Sequence, residues 1–502
     1  MAKPVTNTTL LCLMLALAGC QQKSNSTRAD ATAPDSSTSQ TNDQGNDQAT
    51  DALHSETMAF GWHQLQKSTF DNIQQQNFGE AALNIKQMMA FAGESHDQWE
   101  FIRMALVSLP KDVAYPLVQQ ALEKSFIQSN AEEMFAFSRV LTQLQKQDEA
   151  ILWVNKAIAV EKTEAYVYWR ARLHLLTDQE DRAEEDYQWL LAQNPEHVEY
   201  RNQYATLLNY LKRNDDAIEL LAGYEDIDLM FRHIMILLQQ EKEAEAEAKF
   251  EELKKTIQTA ELTDQQKLDV GELAFWLGDD DFSMSLLQSV QSGDAINQAK
   301  LLMANVLVDQ QAYDRALVLF RQVQNGPQEH AIRAYLQELA LHSLRQDNES
   351  AMKTVNTGLR LFNDDPQLLY ARAMLFAQLD DITSVERDLN KILSQDPDNP
   401  DALNALGYTW ADANVNLDQA YDYIMKAYQL NPESSAIIDS VGWIHFRQGD
   451  LNQAEHYLRL AIEKNPRERE SYDHLIAVLE AKGDQQAVDA VKQKVKKLFN
   501  EE

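Results

Sequence analysis

The chain repeats itself at an interval of 34 residues near its C-terminus, and that interval restricts its fold more than any other feature. Pro432 and Pro466 are 34 residues apart, as are Ala420 and Ala454, and Ala427 and Ala461. Gly407 and Gly442 are 35 apart, which one extra residue in the turn Ala411–Asp418 explains. A period of this length holds one helix, a turn and a second helix. Such a unit cannot bury its apolar face alone, so successive units must stack. With only 15 Gly and 11 Pro in 502 residues, long loops and many tight hairpins are disfavoured.

The residue types suit that unit. Gly407 and Gly442 fall inside helices, where glycine costs about 1 kcal/mol against alanine. The cost is explained if a neighbouring helix packs on bare backbone. Ala420, Ala454 and Ala461 are small where a second helix must come close. Asn431-Pro432 and Asn465-Pro466 end one unit and begin the next, because proline is tolerated in a first turn but not in a helix interior. Gly449-Asp450 and Gly483-Asp484 mark turns between paired helices. Earlier in the chain Ala183 and Ala217 keep the 34-residue interval with Asn194-Pro195 between them, and so do Tyr187 and Leu221. Ala150, Val154 and Ala157 form a second-helix face, as do Ala316, Phe320 and Val323. Asp365-Pro366 and Asp396-Pro397 mark further boundaries, and Ala81, Ala82 and Ile85 share one face of an N-terminal helix. The fold expected is all-α, a tetratricopeptide-repeat superhelical solenoid of helix-turn-helix pairs, with about nine to eleven pairs in all.

The N-terminus has a different character. Lys3 gives a short positive start, and Leu10 to Leu17 is apolar but too short to span a bilayer. Leu17-Ala18-Gly19-Cys20 follows and resembles the bacterial lipobox, in which the cysteine is lipidated and becomes the new N-terminus. The bland alternative is an ordinary signal peptide that happens to contain a cysteine. Cys12 and Cys20 are the only cysteines, so the body has no disulfide and no thiol nucleophile. Gln21 after the cysteine, by resemblance to Gram-negative lipoproteins, implies the outer membrane, facing the periplasm. The stretch Gln21 to about Asp51 lacks large apolar residues and cannot offset its ordering entropy. It is expected to be a disordered tether of roughly 30 residues with a reach on the order of 30 Å. The chain thus divides into a signal peptide (1–19), a lipidated Cys20 with its tether (20–52) and a helical region of degenerate repeats (53–132). Regular repeats (133–224), degenerate helical repeats (225–297) and C-terminal repeats (298–500) follow.

No constellation for chemistry stands out. There is no Gly-rich phosphate loop, no nucleophile-elbow serine and no His-Glu-x-x-His. His445 and His456 lie in one repeat without a cysteine or spaced carboxylate to complete a metal set. Gly278-Asp279-Asp280-Asp281 lacks the later bidentate Glu of a calcium loop and reads as a solvated turn. The stretch Glu241–Glu252 reads as a solvated helix with Glu245–Lys249 and Glu251–Lys255 pairs. No enzyme activity, cofactor or metal is expected. A formal net charge of -33 opposes nucleic-acid binding and broad adsorption to anionic lipid.

A stack of helical pairs exposes a concave surface lined by the first helix of each pair. The repeat phase places Asn404, Tyr408 and Asp412 there at i, i+4, i+8. In the next unit Asp439, Trp443 and Arg447 take that face with Phe446 beside them, and Asp473 follows in the last. Aromatic and Arg residues beside carboxylates are what a partner's anchor residues exploit. The alternative is that Trp443 and Tyr408 simply fill space between adjacent helices.

The segments Asp401-Ala402-Leu403-Asn404-Ala405-Leu406-Gly407-Tyr408-Thr409, Ile438-Asp439-Ser440-Val441-Gly442-Trp443 and Leu451-Asn452-Gln453-Ala454 resemble the C-terminal repeats of long proteobacterial tetratricopeptide lipoproteins. That family includes outer-membrane adaptors of carboxyl-terminal processing proteases. The resemblance covers about the last hundred residues, and the lipobox and tether agree with it. It implies a membrane-tethered scaffold that binds proteins or peptides in its groove and recruits a periplasmic protease to its substrates. The alternative is a pilotin-like assembly factor for a pilus or secretion system.

Overall fold

Residues 48–499 are described in the computed structural model, with side chains from Gly61 onward. The signal sequence, Cys20 and most of the expected tether lie outside the described residues. Every regular element among those described is a helix, and no strand occurs. The chain divides into two compact units, Met1–Glu261 and Leu262–Glu502. The division falls inside the stretch 225–297 that the sequence marks as degenerate.

From Ala131 onward the helices alternate as antiparallel pairs: four pairs in the first unit, ending with Ile227–Gln239 and Glu243–Ile257, and seven in the second, from Asp264–Trp276 to Gln485–Phe499. These eleven pairs meet the upper end of the expected number. Five further helices precede them, from Gln48–Gln74 to Ser125–Ser129, so the estimate for the whole chain was too low. The first of these begins at Gln48, within the stretch 20–52 read as a tether.

One contact recurs in most pairs. The second helix presents a fully buried small residue to the first: Ala150, Ala183 and Ala217 in the first unit, and Ala316, Ala351, Ala420 and Ala454 in the second, while Val385 and Val488 take that position in two other pairs. In two C-terminal pairs the first helix answers with a glycine. A Cβ on Gly407 would lie 2.7 Å from Ile424 Cγ1, and one on Gly442 2.6 Å from Leu458 Cγ. These distances lie well inside carbon–carbon contact, so glycine sets how closely the two helices approach. Gly271 does the same in the first pair of the second unit, where a Cβ would sit 2.9 Å from Leu287 Cδ2. It lies four 34-residue periods before Gly407, so the repeat persists where the sequence reads as degenerate.

The turn inside each pair is built alike. A single left-handed residue ends the first helix: Gln145, Asp178, Lys212 and Glu241 in the first unit, and Gly278, Gln311, Gln346, Asp380, Gly449 and Gly483 among those of the second. The next N–H then bonds to the carbonyl five residues back, as in Lys146 to Leu141 (2.9 Å) and Asp450 to His445 (2.9 Å). This Schellman closure satisfies carbonyls that the helix end leaves open. Side chains of Thr163, Asp226, Asp365, Asn399 and Ser434 cap the first helices that follow.

Each unit also holds a half-buried guanidinium clamp of the same design on a buried carboxylate. Arg170 grips Asp186 through two bonds (3.0 and 2.5 Å) and Asn155 through a third (2.8 Å). Arg372 grips Asp388 (2.6 and 2.9 Å) and Asn356 (2.8 Å) in the same way. In both, arginine on a first helix joins its own second helix to that of the pair before it. In the helix Glu243–Ile257 the expected Glu245–Lys249 and Glu251–Lys255 pairs give way to Lys249–Glu252 (2.7 Å) and Lys254–Glu251 (2.5 Å). Residues three apart are also neighbours on a helix, and here they take the lysines first.

Gly442→Ala should lower stability by about 1–2 kcal/mol in urea unfolding, because overpacking outweighs the gain in helix propensity. Gly61→Ala, which meets nothing within 4 Å inside a helix, should raise stability by up to about 1 kcal/mol. Equal shifts of the two would remove the close-approach argument.

Candidate binding groove

In the C-terminal unit the first helices of successive pairs touch one another. Pro400–Asp412 packs on Ser435–Arg447, which in turn meets Arg469–Lys482. Second helices of successive pairs make no comparable contact among the described residues. The ribbon therefore bends toward its first helices, and their outward side chains crowd onto an inner face. Tyr408 and Trp443 each follow the packed glycine by one residue, which turns them onto that face.

The inner face is organised around His474. Its Nδ1 pairs with Asp439 Oδ2 at 2.8 Å, and its ring stacks on Trp443 with centroids 4.1 Å apart. The Tyr408 hydroxyl donates to Glu470 Oε1 at 2.6 Å and lies 3.4 Å from His474 Nε2, reaching across one whole repeat. Trp443 is only 8% exposed, with Phe446 tilted against it at 5.0 Å and the Arg447 guanidinium 5.6 Å from its ring centroid. Arg447 also donates from Nη2 to the Asp412 carbonyl (2.8 Å). Three first helices thus converge on one imidazole.

Four buried polar atoms in this cluster have no hydrogen-bond partner: Asn404 Oδ1, Asp439 Oδ1, Trp443 Nε1 and Arg447 Nε. Two are acceptors and two are donors. Leaving such groups unpaired costs about 1–3 kcal/mol each, and four of the fourteen such atoms among the described residues gather in this one cluster.

The structure brings seven of the eight sequence-chosen residues to one place. Asn404, Tyr408, Asp412, Asp439, Trp443, Phe446 and Arg447 form or border the cluster. Asp473 is the exception: it is exposed and pairs with Arg469 (3.0 Å). Glu470 and His474 of the same helix reach the cluster instead. Neither was singled out by the 34-residue phase, although their i, i+4 spacing with an acid-and-imidazole pairing was visible. Trp443 and Tyr408 also fill inter-helix space, as the alternative had it. Glu272 was missed as well. It follows Gly271 as Tyr408 follows Gly407, and burial, reinforced by Asp269 and opposed by Arg333, pushes its carboxyl up to about 6.

Burial alone would lower the basicity of His474, but the Asp439 hydrogen bond and the charges of Asp439, Glu470 and Asp412 outweigh it, and its pKa lies above the ordinary histidine value. A raised folded pKa contributes stability in full below the unfolded value of about 6.5 and loses it as pH rises through the folded value. His474→Gln should therefore cost more stability at pH 5.5 than at pH 8.5, read as the difference in thermal midpoint from the parent chain. His174, His233 and His445, whose pKa values burial lowers, act in the opposite direction and cancel in this comparison. A pH-independent difference would contradict the assignment.

Comparison with known proteins agrees with this geometry. A tetratricopeptide-repeat family model matches residues 168–228, which contain the Ala183–Ala217 interval. A TPR repeat-containing protein of Pseudomonas aeruginosa is 35% identical over 214 residues, covering 43% of this chain and 35% of that protein. Bacteriophage adsorption protein A of Escherichia coli K12 is 28% identical over 93 residues, 18% of this chain and 9% of that protein. The match thus spans about a third of the length of the first relative and less than a tenth of the second. Among solved structures, yeast Tom70 aligns over 73% of this chain and 92% of its own at 13% identity, with a TM-score of 0.38. The repeated helical pairs and the matched family model make the fold an all-α one of stacked tetratricopeptide-type helix pairs, and the Pseudomonas protein is similar to part of this chain.

Proposed function

We propose that the chain is a protein-binding scaffold of the bacterial envelope, anchored by lipid on Cys20 and facing the periplasm, that holds a segment of a partner against the inner face of its C-terminal unit. The observation that carries the groove is the set of unpartnered atoms on Asn404, Asp439, Trp443 and Arg447. An extended segment offers both N–H donors and carbonyl acceptors, the complement of two acceptors and two donors. The floor beneath them is aromatic and buried, as anchor pockets are.

The scaffold performs no chemistry in this reading. It acts by raising the effective concentration of bound proteins at the membrane. The partner we favour is a carboxyl-terminal processing protease with its cell-wall substrates, on the resemblance of residues 401–409, 438–443 and 451–454 to adaptor lipoproteins of that kind. The lipobox Leu17-Ala18-Gly19-Cys20 supports the anchor. A relative named for bacteriophage adsorption is in keeping with an envelope position.

Cys20→Ser should move the protein from the membrane fraction to the soluble periplasmic fraction; continued retention in membranes would end the anchor. For the groove, Asn404→Leu combined with Trp443→Phe keeps volume and ring stacking while deleting one acceptor and one donor. Capture of the partner in a cross-linking pull-down from intact envelopes should fall about tenfold with helicity unchanged. Undiminished capture would place the site elsewhere.

A further inference from the structure

The outer surface of the C-terminal unit holds a second concentration of aromatic rings. The ribbon bends toward its first helices, so its second helices part on the far side. A seam runs there between the second helices Leu417–Leu430 and Leu451–Lys464. His445 follows Val441 by four residues and Gly442 by three, which aims it from its first helix toward that seam and away from the Trp443 face. Its ring lies parallel to Tyr457 (5.7 Å, 4°) and nearly perpendicular to Tyr421 (5.7 Å, 78°). Tyr428 stands at 83° to Tyr457 (5.9 Å). Imidazole thus forms the floor, and tyrosines from two neighbouring helices form the walls.

One repeat earlier the equivalent seam is filled. Glu386, Trp410 and Tyr423 precede Tyr421, His445 and Tyr457 by 35, 35 and 34 residues. Trp410 is buried, packs on Tyr423 (5.3 Å) and gives its Nε1 donor to Glu386. With imidazole in place of indole and a phenol in place of the carboxylate, the later seam stays only half-buried. The hydroxyls of Tyr421, Tyr428 and Tyr457 and the ring nitrogens of His445 have no hydrogen-bond partner among the described residues. Burial and the nearby phenols of Tyr428 and Tyr421 raise the pKa of Tyr457, and no carboxylate contributes. Burial lowers that of His445 against the pull of Asp450, which keeps the imidazole neutral near pH 7. The cations of the two helices are engaged elsewhere: Lys426 with Asp398 (2.8 Å), Arg459 with Glu455 (2.8 Å) and Lys464 with Glu433.

We infer that this outer seam binds a neutral glycan chain, with a sugar ring against Tyr421 and Tyr457 and its hydroxyls on the phenols and the imidazole. Two features select that chemistry. A phenol and a neutral imidazole each both donate and accept, as every hydroxyl of a sugar does, whereas a carboxylate only accepts and an ammonium only donates. A charged partner meets no opposite charge on the four rings that line the seam, while their flat apolar faces match the C–H face of a pyranose. The seam lies across the ribbon from the groove around His474, so a protein segment held in that groove leaves it open. For a scaffold anchored in the envelope, cell-wall glycan is the chain within reach; the binding itself does not depend on the anchor.

The test uses the full chain in detergent and a soluble chitin oligosaccharide, a neutral chain of N-acetylglucosamine, followed by isothermal titration calorimetry. Binding should be saturable and nearly the same at low and high salt. Tyr421→Ala with Tyr457→Ala should weaken it about tenfold or more. Tyr421→Phe, Tyr428→Phe and Tyr457→Phe together keep the rings and their packing, and should weaken it about threefold to tenfold through the hydroxyls alone. Circular dichroism should show the helicity of the parent chain in this triple variant. No saturable binding by the parent chain, or equal affinity in the parent and the triple phenylalanine chain, would overturn the inference. Asn404→Leu with Trp443→Phe should leave glycan affinity unchanged. A comparable loss there would move the sugar to the inner groove and overturn the outer seam.

Discussion

The close approach of the second helix to the first, set by residues with little or no side chain, is the contact on which the rest of the structure depends. Where Gly442 lets Leu458 lie against backbone, and Gly407 does so for Ile424, the two helices of a pair are pulled together. Ala420 and Ala454 keep the opposite side equally thin. A thin, constant pair gives a constant step from one pair to the next, and a constant step gives a smooth inner face. Tyr408, Trp443 and their neighbours are brought together by that step, not by any local signal.

The first unit reaches the same geometry with other residues. Ser138 takes the place glycine holds later and is fully buried, with its hydroxyl donating to the Ala150 carbonyl (2.8 Å) and accepting from Trp169 Nε1 (3.0 Å). A small polar residue is tolerated there because both its hydrogen-bonding roles are filled. The Asn155–Arg170–Asp186 and Asn356–Arg372–Asp388 clamps add a second device. A charge so buried is stable only when well paired, and each carboxylate here receives a two-point grip.

Much of this was legible in the sequence, and the gaps have physical causes. Alanine and glycine at 34-residue spacing reveal the contact because only small residues fit it, so Ala183, Ala217, Ala420 and Ala454 fell into phase. The turns were less visible. Gln145, Lys212, Gln311 and Gln346 adopt the left-handed conformation that glycine favours, at a modest local cost, so Gly278, Gly449 and Gly483 announced their turns and these four did not. His474 was hidden because phase alone pointed to its neighbour Asp473, while the contact with Asp439 is made by His474.

The aromatic floor around His474 in the C-terminal unit is the surface that the proposed scaffold would offer to a partner segment. The most direct measurement of the central claim is hydrogen exchange, followed by mass spectrometry, on the full chain alone and in complex with the partner cross-linked in envelopes. Slowed exchange should concentrate in the first helices 400–412, 435–447 and 469–482, while the intervening second helices 417–430 and 451–464 exchange as before. Slowing confined to those second helices would place the partner on the outer surface and contradict the account.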